Sequence, residues 1–82
     1  MKLEMHNFQS TAIFRAAYDP ESKLLVLCFT SDRNMEYDYP GVPAHIWQGL
    51  LGASSKGVYY NQNIRDTYGQ HRTGRSTHRR WT

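Results

Sequence analysis

The first half of the chain carries two mostly apolar runs and one segment with the two-residue period of a half-buried β-strand. Residues 11–18 and 24–29 are mostly apolar, and the Asp-Pro-Glu-Ser sequence at 19–22 between them favours a tight turn. A second polar turn at 31–34 precedes 35–39, where bulky and acidic side chains alternate. The pattern therefore predicts three antiparallel strands in a meander.

Beyond the third predicted strand, the spacing of apolar residues changes from that of a strand to that of a helix. Pro43 suits the first turn of a helix, and 44–51 has a helical apolar face. Ser54 or Ser55 can cap a second helix, in which every fourth residue is aromatic or aliphatic: Tyr60, Ile64 and Tyr68. We expect an α+β fold in which a three-stranded meander is followed by two helices packed on one face.

The charge distribution indicates a domain boundary near residue 68, where the apolar pattern ends. The 82 residues suffice for one small domain, which leaves little room for a catalytic apparatus and its supporting shell. The net charge is +3, yet four of the ten bases lie beyond residue 68 with no acid among them: Arg72, Arg75, Arg79 and Arg80. We therefore predict a near-neutral domain over 8–68 and a basic, disordered tail over 69–82.

The sequence offers no recognisable site for catalysis or for a metal. Cys28 is the only cysteine, and it lies within an apolar strand, where a thiol is a poor nucleophile. His71 and His78 have no cysteine pair or carboxylate at ligand spacing. Neither a signal peptide nor a membrane span is visible. We expect a cytoplasmic protein that is not an enzyme, binds no cofactor and does not enter a membrane.

Several short motifs together resemble the KTSC domain, a small bacterial module named for its occurrence at the C-terminus of some lysyl-tRNA synthetases and also found alone. The resemblance covers roughly residues 10–68. It is carried by the following residues in this order: Ser10 with Ile13, Tyr18-Asp19, Tyr37-x-Tyr39, Val42-Pro43, Ala53-x-Ser55-x-Gly57, and Tyr60-Asn61-x-x-Ile64-Arg65-x-x-Tyr68. The chain departs from the pattern at Ala17 and at 31–34, where glycine is usual. The resemblance implies RNA binding as a conjecture, drawn partly from the association with a synthetase.

Tyr37 and Tyr39 are candidates for stacking against unpaired bases, because both side chains point to one face of their strand. Core packing is the stronger interpretation, since the helices have to cover that face and aromatic residues dominate small cores. On the other face, Glu36 and Asp38 would repel phosphate. The outer face of the sheet is therefore not expected to bind RNA.

The Ser54-Ser55-Lys56-Gly57 segment places hydroxyl groups, a cation and backbone amides at a helix N-terminus, which suits a phosphate or carboxylate. Helix capping by serine explains the same residues and is favoured. Gly57 in the first turn weakens the helix, so a close approach of a strand or a ligand would explain it.

Asn61 and Arg65 are four residues apart and are expected to share one helical face. Arg65 is the strongest single candidate for binding, because its guanidinium can grip phosphate or carboxylate with two hydrogen bonds. An internal ion pair of Arg65 is an equal alternative.

The leading functional hypothesis is an accessory RNA-binding or general nucleic-acid-binding module. In it, Arg65, Asn61, Lys56 and Ser55 act together with the arginine tail. The competing hypothesis is a protein-interaction adaptor, or a small inhibitor, that docks through a strand edge or through the Trp47-bearing helix. The near-neutral charge of the predicted domain favours this alternative.

Overall fold

In the part of the chain that the structure describes, five antiparallel strands form one sheet whose spatial order follows the sequence. This computed structural model describes residues 4–8, 10–31, 35–68 and 71–75, the last of these as backbone only. The strands are β1 (Glu4–Asn7), β2 (Ile13–Asp19), β3 (Leu24–Phe29), β4 (Met35–Tyr39) and β5 (His71–Arg75). Two helices, α1 (Ala44–Gly52) and α2 (Lys56–Asn63), lie between β4 and β5 in the sequence.

The predicted α+β class, the antiparallel sheet and the two helices are confirmed, but the predicted number of three strands is wrong. A further strand lies at each edge of the predicted meander. β1 pairs with β2 from Glu4 opposite Tyr18 onward, and β5 pairs with β4, with Arg75 opposite Met35. Edge strands of this kind are held by backbone hydrogen bonds and need no apolar period.

The predicted disordered tail over 69–82 is therefore wrong for residues 71–75, which form β5. Arg72 and Arg75 belong to the sheet at register positions opposite Tyr37 and Met35. Arg79 and Arg80 lie outside the described residues, and the predicted disorder there stays a prediction.

The hydrophobic core lies between the helices and one face of the sheet. Successive side chains of a strand point to opposite faces, so every second strand residue reaches this core. The core residues are fully or almost fully buried: Ile13, Ala16, Tyr18, Leu25, Leu27, Tyr39, Val42, Trp47, Leu50 and Ile64.

The two helices cover different halves of the sheet. α1 lies over β1 and β2, where the Trp47 ring stacks on Tyr18 with ring centroids 5.5 Å apart. α2 lies over β3 and β4, where Tyr60 meets Phe29 and Tyr39 edge to face. Such aromatic pairs stabilise a small core beyond the area that they bury.

The corner between β4 and α1 depends on a glycine in the left-handed region. Gly41 has a φ of 77°, which L-residues with a side chain rarely adopt. The next residue, Val42, donates its backbone N–H to the carbonyl of Lys23 at 2.9 Å. Its own carbonyl accepts a 2.6 Å hydrogen bond from the Tyr18 hydroxyl. Pro43 then occupies the N-cap position of α1.

Candidate functional site

A cleft of about 590 Å³ opens between the β1–β2 connection and the start of α2. One wall is polar and comes from Ser10 and Thr11. The other wall is the segment that the sequence analysis associated with anion binding. The lining residues are Asn7, Phe8, Ser10, Thr11, Ala12, Ala53, Ser54, Ser55, Lys56 and Gly57. The fold thus brings two hydroxyl-rich segments, distant in sequence, to the same cleft.

Ser55 is the N-cap residue of α2. Its hydroxyl oxygen accepts a hydrogen bond of 3.4 Å from the backbone N–H of Val58, which satisfies one of the unpaired amides of the first turn. The neighbouring Ser54 is exposed. Ser55 therefore has the structural role that the capping interpretation predicted, and its exposed side chain borders the cleft.

Lys56 links the two helices. Its Nζ donates to the backbone carbonyls of Leu51 at 2.9 Å and Ala53 at 2.8 Å, which are carbonyls at the C-terminal end of α1. The ammonium also lies 5.1 Å from the centroid of the Phe8 ring, within the range of a cation–π contact. Two of its three N–H donors are thus used internally, and Lys56 holds the wall of the cleft in place.

Gly57 is explained by a close contact between α2 and Ala12, the residue directly before β2. A Cβ added at this position would lie 2.9 Å from the Cβ of Ala12, closer than two such atoms approach. Gly49 has a similar role in α1, because a Cβ there would overlap the Tyr59 hydroxyl, which instead donates to the carbonyl of Ile46 at 3.0 Å. Of the two explanations raised from the sequence, close approach of another chain segment, here the bend before β2, accounts for Gly57.

Ser10 fixes the turn into β2. Its Oγ accepts hydrogen bonds from the backbone N–H groups of Ala12 at 3.1 Å and Ile13 at 3.2 Å. Its carbonyl accepts a bond of 3.3 Å from the Thr30 hydroxyl. The serine of the KTSC-like pattern therefore has a structural role at the cleft wall.

The two tyrosines proposed for base stacking differ in exposure. Tyr39 is fully buried, and its hydroxyl lies 2.9 Å from the Tyr60 hydroxyl. Tyr37 is half-buried and meets Phe29 edge to face, with ring centroids 5.4 Å apart. The structure favours core packing for Tyr39, and only the Tyr37 ring retains some accessible surface.

Asn61 and Arg65 are both exposed, but they do not share one helix. α2 ends at Asn63, and Arg65 lies in the following turn, where its backbone N–H donates to the carbonyl of Tyr60 at 2.9 Å. The predicted apolar stripe still packs on the core, since Ile64 is buried beneath this turn. Arg65 is thus presented by a turn that the buried Ile64 side chain anchors.

Three titratable groups near the core have shifted pKa values. Burial, together with the Asp19 and Glu4 carboxylates, raises the pKa of the Tyr18 phenol. Burial also raises the pKa of Tyr59. The Ser22 hydroxyl lowers the pKa of the Asp19 carboxyl, against the opposing effect of burial. All three groups maintain the fold around the hairpin and helices.

No group of three or more histidine, cysteine, aspartate or glutamate side chains lies close enough to hold a metal ion among the described residues. Cys28 is fully buried in β3. No helix in the described ranges is both long and apolar enough to cross a membrane.

The spacing of these motifs matches one protein family. Residues 9–68 match the family model of the KTSC domain. The chain belongs to the KTSC domain family. The match includes the Ser10 turn, the buried Tyr39 and the turn bearing Arg65, and it ends before β5.

One solved KTSC domain structure shares the fold over most of the chain, and two further proteins are similar in sequence. The crystal structure of a KTSC domain protein from Yersinia pestis superposes with a TM-score of 0.80 at 26% identity, covering 89% of this chain and 100% of that chain. An uncharacterized protein of Stutzerimonas stutzeri is 39% identical over 66% of this chain and 73% of its own length. A protein of Tsukamurella paurometabola is 34% identical over 78% of this chain and 92% of its own length.

Proposed function

We propose that this KTSC protein is a small, non-enzymatic binding module of the cytosol that contacts RNA or another nucleic acid with one basic side of the domain. The observation that carries the proposal is the position of β5. It brings Arg72 and Arg75 from the expected tail into the sheet beside β4. α2 packs over β4 through Tyr60, so arginine positions and the exposed end of α2 occupy one side of the molecule.

The chemistry of this side suits a phosphate backbone. Arg65 and Asn61 are exposed, and an arginine fork together with an amide can donate several hydrogen bonds to phosphate oxygens. The acidic residues Glu36 and Asp38 of β4 point to the opposite sheet face, so they do not line the helix side. Asp66 is the nearest acid in sequence to Arg65, and it reduces the local positive charge.

The hydroxyl-rich cleft extends this surface along α2. Ser55 borders the cleft at the start of the helix, and Asn61 and Arg65 lie at its end. The half-buried Tyr37 offers the edge of one ring for a base, whereas the buried Tyr39 supports the surface from below. Lys56 contributes by fixing the cleft wall more than by direct contact.

Fluorescence anisotropy with a labelled single-stranded RNA of mixed sequence at low salt tests the proposal. We expect micromolar binding that weakens as salt rises, with a slope of about 0.7 per phosphate contacted. Arg65→Ala combined with Arg72→Ala should lower this slope by about 1.4. Lys23→Gly is the control for loss of a single cation elsewhere on the domain, because it removes one cation from the β2–β3 turn at a position with φ of 59°, which glycine tolerates. Absence of micromolar binding would contradict the proposal.

A protein-interaction role is the second candidate, and one observation favours it. Met5 on the edge strand β1 is 39% exposed and Val58 on α2 is 52% exposed, so large apolar side chains face solvent at two places. Trp47 is buried and hydrogen-bonded to Glu4, so its indole ring is not available as a contact for a protein partner. Capture of protein partners from nuclease-treated lysate, with loss of capture in Met5→Ser, would favour this role over the first.

A further inference from the structure

The backbone of β1 carries hydrogen-bonding groups on its outer side that the described part of the sheet does not use. β1 is an edge strand, and all of its residues are exposed. Beside it, the Phe8 N–H donates to the Phe14 carbonyl at 3.0 Å, so these two residues form a hydrogen-bonded pair. Hydrogen-bonded and non-hydrogen-bonded pairs alternate along an antiparallel ladder. Met5 and Asn7 therefore direct their N–H and C=O groups away from β2, where no other described strand lies.

The sequence of β1 does not protect this open edge. Natural edge strands are usually protected by lysine, proline, a bulge or an inward-pointing charge. The β1 sequence, EMHN, contains neither lysine nor proline, and its register with β2 runs without a shift. Its one acidic side chain, Glu4, accepts a hydrogen bond from the Trp47 indole on the helix side. The open edge can therefore accept another strand.

The flank of α1 that faces the same edge carries no charged side chain. The Tyr59 hydroxyl of α2 lies against α1 at Ile46 and Gly49. Trp47 and Leu50 are buried toward the sheet. Since successive helical residues are rotated by about 100°, the flank on the other side from α2 points toward β1. This flank consists of Ala44, Gln48 and Leu51. A second molecule beside β1 thus meets no like charge on the helix layer.

We propose that β1 pairs with β1 of a second copy of this chain, antiparallel and about a two-fold axis at His6. In this register Met5 lies opposite Asn7 of the second copy, so each outward N–H meets an outward C=O. The two sheets join into one, with all helices on the same face. α1 contacts both β1 and β2 through Trp47. The two copies of α1 are then two strand spacings apart, about 10 Å, which is the packing distance of neighbouring helices.

The charges of β1 favour a second copy in this orientation. Glu4 lies opposite Phe8 of the second copy, and the two Glu4 residues are separated by four residues along the strands, about 14 Å. This separation exceeds the Debye length of about 8 Å in physiological salt. A parallel pairing would instead place the two Glu4 residues on adjacent strands about 5 Å apart. The dimer depends on neither function proposed above, because β5 lies at the opposite edge of the sheet and stays accessible.

Sedimentation velocity of the full chain over a range of concentrations tests the pairing. We expect the average mass to rise from that of one chain toward that of two. Met5→Pro should weaken the dimer by about tenfold or more, because each copy loses one interstrand hydrogen bond. The single chain should stay folded in circular dichroism, since an edge strand tolerates proline where the N–H faces solvent. Met5→Ala is the matched control, because it shortens the side chain but keeps the N–H, and it should still dimerise.

Hydrogen exchange of the unaltered chain, followed by NMR, gives a readout that needs no variant. The amide hydrogens of Met5 and Asn7 should become more protected as the concentration rises, because the second copy bonds them. The amide of His6, which faces β2, should be protected at every concentration. If the exchange of Met5 and Asn7 does not depend on concentration, the proposal is overturned. It is also overturned if a folded Met5→Pro chain dimerises as strongly as Met5→Ala.

Disulfide cross-linking tests the register. In His6→Cys, the two new cysteines form a non-hydrogen-bonded pair with Cα atoms about 4.5 Å apart, a distance that a disulfide spans. Oxidation should therefore give a covalent dimer. Glu4→Cys is the control on the same strand face, because its two Cα atoms are about 14 Å apart and should not cross-link. Cys28 is buried and common to both variants. Cross-linking in Glu4→Cys but not in His6→Cys would overturn the proposed pairing.

Discussion

The indole Nε1 of Trp47 donates a hydrogen bond of 2.9 Å to the Glu4 carboxylate, and this bond joins the edge strand β1 to α1. Trp47 is buried, so loss of the acceptor leaves a polar N–H without its protein partner. We expect Glu4→Ala to lower the free energy of unfolding by about 1 kcal/mol in urea denaturation followed by circular dichroism. Glu4→Gln keeps an acceptor oxygen and should lower the free energy of unfolding by a smaller amount.

Glu21→Ala is the control for this prediction, because it removes the same charge from the exposed β2–β3 turn. Glu21→Ala should change the free energy of unfolding by no more than about 0.5 kcal/mol. Equal losses at Glu4 and Glu21 would show that net charge, and not the hydrogen bond to Trp47, sets the effect.

The hydroxyl groups of Tyr39 and Tyr60, 2.9 Å apart, should be energetically coupled. We expect Tyr60→Phe to cost about 1 kcal/mol of unfolding free energy. The double variant with Tyr39→Phe should cost less than the sum of the two single variants, because the second substitution removes a partner that is already lost. Urea denaturation of all four proteins gives the coupling energy, and a value of zero would contradict the contact. Tyr37→Phe, on a half-buried ring, should change stability by less than about 0.5 kcal/mol.

Gly57→Ala should destabilise the protein, although alanine is the better helix former by about 1 kcal/mol. The reason is the Ala12 Cβ, which a new Cβ at position 57 would meet at 2.9 Å. Ala12→Gly in the same chain should restore part of the loss. Gly52→Ala is the matched control, since no atom lies within 4 Å of a Cβ there, and it should raise the thermal midpoint. An increase in stability for Gly57→Ala would refute the packing argument.

The Asp19 carboxylate should make the stability depend on acid pH. The Ser22 hydroxyl, at 2.8 Å, and the Glu21 backbone N–H, at 3.1 Å, donate to it and lower its pKa in the folded state despite burial. The resulting stabilisation is fully present above the unfolded-state pKa of about 3.9. It is lost as the pH falls through the lower, folded-state pKa.

An NMR titration of the Asp19 carboxyl carbon measures this shift directly. The folded-state pKa should lie below about 3.9, and Ser22→Ala should raise it toward that value. Urea denaturation at a series of acid pH values should show a smaller loss of stability in Asp19→Asn than in the parent chain. A pKa of Asp19 that Ser22→Ala leaves unchanged would show that the hydroxyl is not the main cause.

Much of the fold could be predicted because its central elements have a clear hydrophobic period. The strand over Met35–Tyr39 and the helix beginning at Ala44 are confirmed at the predicted positions. β1 and β5 could not be predicted, since EMHN contains a single apolar side chain and HRTGR contains none, so neither sequence shows an apolar period. These strands are selected by the unpaired backbone groups of β2 and β4, which a linear sequence does not display.

The candidate site was predictable in its residue types but not in its geometry. The Ser55 cap follows from local chemistry, and the structure has it. The position of Arg65 beyond the helix end does not follow from the sequence, because the apolar period continues through Ile64 after the helix has ended. The bonds of Lys56 to the α1 carbonyls join two helices and require the tertiary fold.

The shallow docking of α2 has a consequence for local motion. No residue within the bounds of α2 is fully buried, and the helix is held by the half-buried Tyr59 and Tyr60 and by Ile64 just beyond its end. Such a segment opens at lower free energy than the rest of a domain. Its amide hydrogens should therefore exchange with deuterium before those of β3. Because Asn61 and Arg65 belong to this segment, a bound ligand would slow that exchange first.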